Sequence, residues 1–155
     1  MESFYNALMS ETLHTLEMNK DWILATSADD LTTARSISLV NIGLRIFFQT
    51  HASFTKYQQI EKNKNTALCC KNIQIQAEAI IRGRVSDDCN DKFRELYRRV
   101  HASAFQRYSK LEGQVLIEIV PKIITFWKYI DGIPFKDILD IDNKKALRKE
   151  QMYIQ

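Results

Sequence analysis

The sequence has few of the residues that interrupt regular structure, and few cysteines. Only 4 glycines and 2 prolines occur among 155 residues, so we expect few long loops. The 3 cysteines are an odd number, and they show neither a CxxC pair nor the cysteine and histidine spacing of a metal site. This pattern argues against a disulfide framework, and it predicts reduced thiols and no metal.

Long apolar runs are also missing. No stretch approaches the roughly 20 residues that a membrane-spanning helix needs. The N-terminal segment carries Glu2, Glu11 and Glu17, whereas a signal peptide begins with positive charge followed by an apolar run. We therefore expect a soluble, cytoplasmic protein with no membrane partner.

The length and the charge fit one small domain. A chain of 155 residues can bury a core without disulfides or structural metals, so we predict one domain over residues 1–155. The net charge is +3, and the basic residues gather in residues 94–110 and 144–149. Because acidic residues accompany them, solvated helix faces explain them better than a nucleic-acid partner, and we predict no such partner.

Hydrophobic periodicity predicts a helix before and a helix after a three-stranded meander, followed by further strands and a third helix. The alternation is clear over residues 32–40, where Arg35 and Ile37 share one face and Ser36 and Ser38 the other. Predicted helices cover residues 3–19, 50–63 and 87–110. Predicted strands cover residues 21–26, 32–40, 44–49, 66–71, 72–85, 113–121, 123–129 and, as an edge strand, 135–141. The charged residues after these are expected to form a helix or a tail. The order indicates an α+β, mainly β protein built on an antiparallel barrel.

A phosphate pocket is one interpretation of the segment from Arg35 to Lys56. Arg35 lies on a predicted strand, and Thr50, Ser53 and Lys56 surround the start of a predicted helix. A helix N-terminus has free N–H groups and the positive end of the helix dipole, which suits a phosphate. The competing interpretation is structural, because Thr50 or Ser53 could cap the helix while Lys56 is solvated.

The histidines and the aromatic residues of the third helix permit simpler explanations. His51 lies at the same turn and could contact a ligand, although a polar residue at a helix entrance is the simpler interpretation. His14 is expected to be exposed or structural. The aromatic residues of the third helix are expected to serve core or dimer packing, and they are Phe93, Tyr97, Phe105 and Tyr108.

Three runs of the sequence resemble the pyridoxamine 5′-phosphate oxidase-like family, and above all its short general-stress and nitroimidazole-resistance members. They read WILATSADDLTTARSISLV, LRIFFQTHASFTKYQQIEKNKNTALCC and IQAEAIIRGRV, and they lie between Trp22 and Val85. The resemblance resumes at Ile124 to Trp127, which is similar to a terminal barrel strand with a Phe-Trp pair. It implies a six-stranded antiparallel split β-barrel with flanking helices, which forms a homodimer and holds FMN at the interface.

The same resemblance implies the role of each site residue. Arg35 would reach the flavin or its phosphate, and Lys56 would be the phosphate lysine. Ser53 would lie in the phosphate turn, and Trp127 could come from the partner subunit. Gln76, or Gln74 if the alignment shifts by two, would face the polar edge of the ring. The implied cofactor residues are Arg35, Ser36, Ile37, Ser38, Gln49, Thr50, Ser53, Lys56, Gln76 and Trp127.

Two departures from the family pattern limit the function that the resemblance implies. Thr55 stands where the family often has an arginine, and the chain ends in ALRKEQMYIQ without the Arg-Leu ending of the vitamin oxidases. We therefore expect an FMN-dependent oxidoreductase of unknown small-molecule substrate that is not a true pyridoxamine phosphate oxidase. No residue is an evident general acid or base, so the catalytic residues stay unknown. The alternatives are a non-catalytic flavin-storage or stress-related protein, or a split barrel that binds a deazaflavin or heme.

Overall fold

The structure is a computed structural model, which describes residues 2–152. This part of the chain contains four α-helices, nine β-strands and a short 3₁₀ turn at Asp88–Asn90. The helices are α1 (Phe4–Met18), α2 (Thr55–Lys62), α3 (Asp91–Val100) and α4 (Ala102–Tyr108). The strands are β1 (Asp21–Ala28), β2 (Leu31–Ser38), β3 (Val40–Ile42), β4 (Arg45–His51), β5 (Asn65–Cys70), β6 (Ile73–Arg84), β7 (Gln114–Ile130), β8 (Ile133–Asp140) and β9 (Lys145–Glu150).

The sheet closes into a barrel because one bent strand pairs at both of its ends. β2 and β3 are separated only by Leu39; β2 pairs with β1, and β3 pairs with β4. The strand order is β2-β1-β5-β6-β7-β4-β3, so the two edges of the sheet are two halves of one strand. Counted in this way, the barrel has six antiparallel strands, as predicted. β8 and β9 extend the sheet from β7.

The predicted first helix is confirmed, and its sequence explains how it begins and packs. The Ser3 side chain accepts a hydrogen bond from the backbone N–H of Asn6, which satisfies one of the free donors of the first turn. Leu8, Thr12 and Leu16 are buried along one side. This side of α1 packs against β8 and β9. None of the helices between residues 2 and 152 is long and apolar enough to cross a membrane.

The two strands predicted for residues 113–121 and 123–129 form one strand, β7. Opposite Gln76 and Ala77, its register skips one residue, Lys122, next to Pro121. Proline has no N–H to donate to a neighbouring strand, and a bulge allows the strand to continue past it. A second irregularity lies between Ile81 and Arg84, where one was predicted near Gly83.

Three predictions for the C-terminal half were wrong. The predicted helix of residues 87–110 is divided into α3 and α4 at His101, whose backbone is not helical and whose Nε2 donates to the Leu39 carbonyl at 2.9 Å. The charged segment after residue 141 was expected to be a helix or a tail, yet residues 145–150 form β9. β8 therefore pairs on both sides and is not an edge strand.

A fully buried carboxylate explains why the charged segment adopts a strand. Asp137 on β8 is 0 % exposed and accepts hydrogen bonds from Arg148 at 2.7 and 2.8 Å. Lys128 on β7 lies 2.9 Å from Asp137 and 2.7 Å from Glu11 on α1. These contacts join α1, β7, β8 and β9 through side chains that periodicity alone would assign to solvent.

Candidate cofactor site

A cavity of about 470 Å³ lies at the end of β4, between β2, the turn into α2, and the helices α3 and α4. We call it the β4 cavity. Seven of the ten predicted cofactor residues line it, and they are Ser36, Ile37, Ser38, Gln49, Thr50, Ser53 and Lys56. The rest of its wall consists of His51, Phe54, Tyr97, Ala104, Tyr108, Leu111 and Gln114.

Thr50 lines the β4 cavity and carries a buried hydroxyl. The residue is 2 % exposed, and its Oγ1 atom makes no hydrogen bond within the described part of the chain. An unpaired buried polar group costs roughly 1–3 kcal/mol, so such groups are rare in folded proteins. A polar ligand that reached this buried atom would give it the hydrogen bond that it lacks.

Two cations, Lys56 and Arg35, lie at or behind the wall of the cavity. Lys56 lines the cavity, with its Nζ atom 4.9 Å from the centroid of the Phe54 ring. Burial, and then the nearby charge of Arg35, lower the pKa of Lys56, and burial also lowers the pKa of Arg35. Among residues 2–152, no carboxylate forms an ion pair with either side chain. The resulting positive field favours an anionic ligand.

Arg35 itself lies behind the cavity wall. It is partly buried and does not line the β4 cavity. Its Nη1 atom donates to the Leu24 carbonyl at 3.2 Å and to the Thr26 hydroxyl at 2.8 Å, and its Nη2 atom donates to the Thr33 hydroxyl. The contribution of Arg35 to the cavity is therefore mainly electrostatic.

The remaining two predicted residues, Gln76 and Trp127, lie elsewhere on the chain. They line a second cavity of about 690 Å³ formed by β5, β6, β7 and β8, which we call the β6 cavity. Gln74 lines the same cavity, so the choice between the two glutamines stays open. Lys136 lies over the Trp127 ring, 5.8 Å from its centroid. Within one chain, then, the predicted cofactor residues divide between two cavities.

Comparison with known proteins gives the fold its name. No protein-family model and no curated protein sequence matches the chain. Among solved structures, general stress protein 26 from Bacillus anthracis str. Sterne is similar at a TM-score of 0.65, with 18% identity over 86% of this chain and 98% of that chain. A pyridoxamine 5′-phosphate oxidase-related, FMN-binding protein from Nostoc punctiforme PCC 73102 gives 0.63, with 10% identity over 98% of both chains. HutZ, the heme storage protein of Vibrio cholerae, gives 0.62, with 14% identity over 73% of this chain and 89% of that chain.

This chain has the fold of the pyridoxamine 5′-phosphate oxidase-like split barrels. The resemblance predicted from the sequence is thus confirmed for the fold. The structural similarity establishes the fold. At identities below 20%, it leaves the ligand to be argued from the site.

His51 lies in the turn between β4 and α2, and both of its ring nitrogens form hydrogen bonds within the protein. The Ser53 backbone N–H donates to Nδ1 at 3.2 Å, so Nδ1 is an acceptor and the ring proton is on Nε2. Nε2 then donates to the Glu112 carbonyl at 3.1 Å, and the Ser53 hydroxyl donates to Nδ1 at 2.8 Å. These contacts favour the structural interpretation of His51.

The helix after this turn begins later than predicted. α2 starts at Thr55, and its N-cap residue is Phe54, which makes no side-chain capping bond. Thr50 belongs to β4, and the Ser53 hydroxyl is directed to His51, so neither caps the helix. The first N–H groups of a helix have no acceptor within it, which leaves those of α2 available beside Lys56.

Two hydrogen bonds between distant segments hold α4 in the wall of the β4 cavity, a position that the sequence did not predict. The Ser109 hydroxyl donates to Gln49 at 2.8 Å, and the Ala52 N–H donates to the Gly113 carbonyl at 2.9 Å. These bonds hold the end of α4 against the β4 turn, and Tyr97 and Tyr108 thereby face the cavity. The sequence shows the aromatic residues of the third predicted helix, but it does not show that these side chains meet the end of β4, which lies roughly 50 positions earlier in the chain.

Replacing Gly113 by alanine is expected to disturb the β4 turn. Gly113 has φ +88°, and an added Cβ would lie 2.7 Å from Nε2 of His51. Backbone strain and the displaced imidazole should together cost about 2–3 kcal/mol of unfolding free energy. Gly132→Ala is the matched control, because Gly132 has φ +77° with open space around it. Urea unfolding should show a larger loss for Gly113→Ala, and equal losses would contradict the contact with His51.

Proposed function

We propose that this protein binds FMN and is a cytoplasmic, FMN-dependent oxidoreductase that acts on a small molecule. The observation that carries the proposal is the β4 cavity: among residues 2–152, Lys56 in its wall and Arg35 behind it form no ion pair with a carboxylate, and the Thr50 hydroxyl makes no hydrogen bond. A phosphomonoester is bound well by positive side chains, by hydroxyl donors and by the free N–H groups at the start of a helix. The FMN-binding protein from Nostoc punctiforme, which shares the fold, supports the choice of FMN.

The residues present fit such a group in distinct ways. Lys56 and the first N–H groups of α2 would bind the phosphate, and the Thr50 hydroxyl would donate to it. Burial raises the pKa of Tyr97 more than its hydrogen bond with Gln49 lowers it, so this phenol stays protonated beside the cavity. When bound, FMN supplies hydride transfer at its N5 atom, and the protein supplies position and electrostatics.

The division of the predicted residues between two cavities supports a homodimer. Gln76 and Trp127 lie in the β6 cavity, apart from Lys56 in the β4 cavity. A twofold axis that places the β4 cavity of one protomer against the β6 cavity of its partner would reunite them in two equivalent sites. Twofold dimers are the commonest symmetric assemblies, and ligand sites are common at interfaces.

Heme is the second candidate, because HutZ has the same fold. Heme needs an axial ligand, most often histidine. Both ring nitrogens of His51 are bonded within the protein, Nε2 of His101 donates to the Leu39 carbonyl, and His14 is exposed on α1. His51 and His101 are thus engaged within the protein, and a heme held by histidine would have to use His14.

The test is the visible spectrum of the purified protein, with mass identification of any chromophore released on denaturation. We expect about one FMN per chain and a dimer by light scattering. A released deazaflavin or heme would replace FMN in the proposal, and a colourless protein that takes up no added FMN would contradict it. Chemical reduction followed by reoxidation with candidate acceptors separates an oxidoreductase from a storage protein, which would show no preferred acceptor.

A further inference from the structure

A buried amide on α2 contacts the two hydroxyls that bind Arg35. Gln59 is 5% exposed and lies one helical turn after Lys56. Its Oε1 atom is 2.5 Å from the Thr26 hydroxyl and 2.6 Å from the Thr33 hydroxyl. Both threonine hydroxyls also contact the guanidinium of Arg35. One side chain thus meets the two groups that hold the cation.

The donor and acceptor roles in this network are fixed by its ends. The Gln59 Nε2 atom donates to the Leu31 carbonyl at 3.2 Å, which directs Oε1 toward the threonines. Because an amide oxygen only accepts, Thr26 and Thr33 give it their hydroxyl protons. Their oxygens are then left to accept from Arg35, which can only donate. Gln59 therefore accepts the hydroxyl protons of both threonines and directs them away from the guanidinium, whose N–H groups donate to the same two oxygens.

Without Gln59 the same groups have other arrangements available. A hydroxyl can rotate its proton toward any acceptor, and a partly buried arginine beside a lysine reduces repulsion by moving toward water. Gln59 and Lys56 lie one turn apart on α2, so the threonines that bind both Gln59 and Arg35 connect the guanidinium to the helix that carries Lys56. In agreement with this geometry, the charge of Arg35 contributes to the lowered pKa of Lys56.

We propose that Gln59 is a positioning residue that, through Thr26 and Thr33, holds the Arg35 charge beside Lys56 and so sets the affinity of the β4 cavity for a phosphomonoester. The inference deepens the proposed function, because it concerns the phosphate end of the proposed FMN site. It assigns Gln59 no contact with the ligand.

The first test needs no cofactor. In protein labelled with ¹³C at the lysine ε-carbon, the Lys56 resonance is identified by its absence from Lys56→Arg, and its titration is followed by NMR. In Gln59→Leu the Lys56 pKa should rise, because Arg35 is no longer held nearby. Thr26→Val should shift it in the same direction. An unchanged Lys56 titration in Gln59→Leu would overturn the inference, whatever the cavity binds.

The second test compares FMN with riboflavin, which has the same ring and no phosphate. Gln59→Leu should weaken FMN binding about tenfold and leave riboflavin binding unchanged, because only the phosphate responds to Arg35. Gln59→Glu, which is isosteric, should also lower the FMN-to-riboflavin preference, because its carboxylate neutralises Arg35. Adding Thr26→Val to Gln59→Leu should cause little further loss, since both act through the same bonds.

Two controls separate a positioning role from a structural one. Thr12→Val removes another buried hydroxyl, bonded to the Leu8 carbonyl on the distant helix α1, and should leave the preference for FMN intact. If Gln59→Leu loses both flavins equally, Gln59 is merely structural and the inference is wrong. If the wild-type protein binds neither flavin, the proposed function fails, and the Lys56 titration alone decides whether Gln59 positions Arg35.

Discussion

Replacing Asp137 by asparagine is expected to destabilise the protein by about 3 kcal/mol, because it removes a fully buried carboxylate from its ion pairs and leaves Arg148 without a counter-charge. Asp137 is fully buried, and both of its oxygens accept from Arg148. Lys128 retains Glu11 as a partner, but Arg148 has no second carboxylate within ion-pair distance among residues 2–152. The loss should appear in urea unfolding at neutral pH.

The pH dependence of the same variant provides an independent check. Burial raises the pKa of Asp137, but hydrogen bonds from Arg148 and Lys128, together with their charges, outweigh it and leave the pKa lowered. A carboxylate whose pKa is lowered by folding stabilises the folded protein at any pH above its unfolded pKa of about 3.9. This contribution to the free energy of unfolding is lost as the pH falls through the folded pKa. The stability difference between wild type and Asp137→Asn should therefore be constant near neutrality and shrink below about pH 4.

Asp142→Ala is the control for this prediction. Asp142 lies on the same hairpin and is 3.5 Å from Lys122, but 63% of its side chain is exposed. Exposed ion pairs contribute about 0–1 kcal/mol, so this variant should be close to wild type. If Asp137→Asn were as mild as Asp142→Ala, the buried network would not be what attaches β9 to the barrel.

The parts of the fold that could be predicted are those whose cause is local. The alternation around Arg35 gave β2, and the capping serine gave the start of α1. β9 could not be predicted, because its residues are mostly exposed and its periodicity does not show that Arg148 pairs with Asp137 on the neighbouring strand. The division of the third helix at His101 likewise depends on a carbonyl 62 residues away.

The candidate site follows the same rule. The predicted residues from Ser36 to Lys56 meet in one cavity because a bent strand and its neighbour are close in sequence as well as in space. Tyr97 and Tyr108 were missed as cavity residues because their helices reach the site only through the folded path of the chain. The resemblance already allowed Trp127 to come from the partner subunit, but it did not separate Gln76 from the other residues, because it carries residues over one at a time.

Replacing Lys56 by methionine should have opposite effects on cofactor binding and on the stability of the cofactor-free protein. FMN affinity should fall about 10- to 100-fold, since the variant removes a charge-assisted hydrogen bond to phosphate, while riboflavin affinity stays unchanged. The cofactor-free variant should be at least as stable as wild type, because burial and Arg35 both disfavour the charged lysine and its pKa is lowered. Calorimetric titration with each flavin and urea unfolding measure the two effects.

Lys62→Met is the matched control, because it removes a lysine from the same helix at a site remote from any ligand role. Lys62 is 65% exposed and pairs with Asp29 at 2.8 Å, so its loss should leave FMN affinity unchanged. An unaltered FMN affinity in Lys56→Met would show that Lys56 does not bind the phosphate. If Lys56→Met instead destabilised the cofactor-free protein, Lys56 would have a structural role. The positive charge at the β4 cavity would then not be evidence for a binding site, because such a site is expected to cost stability.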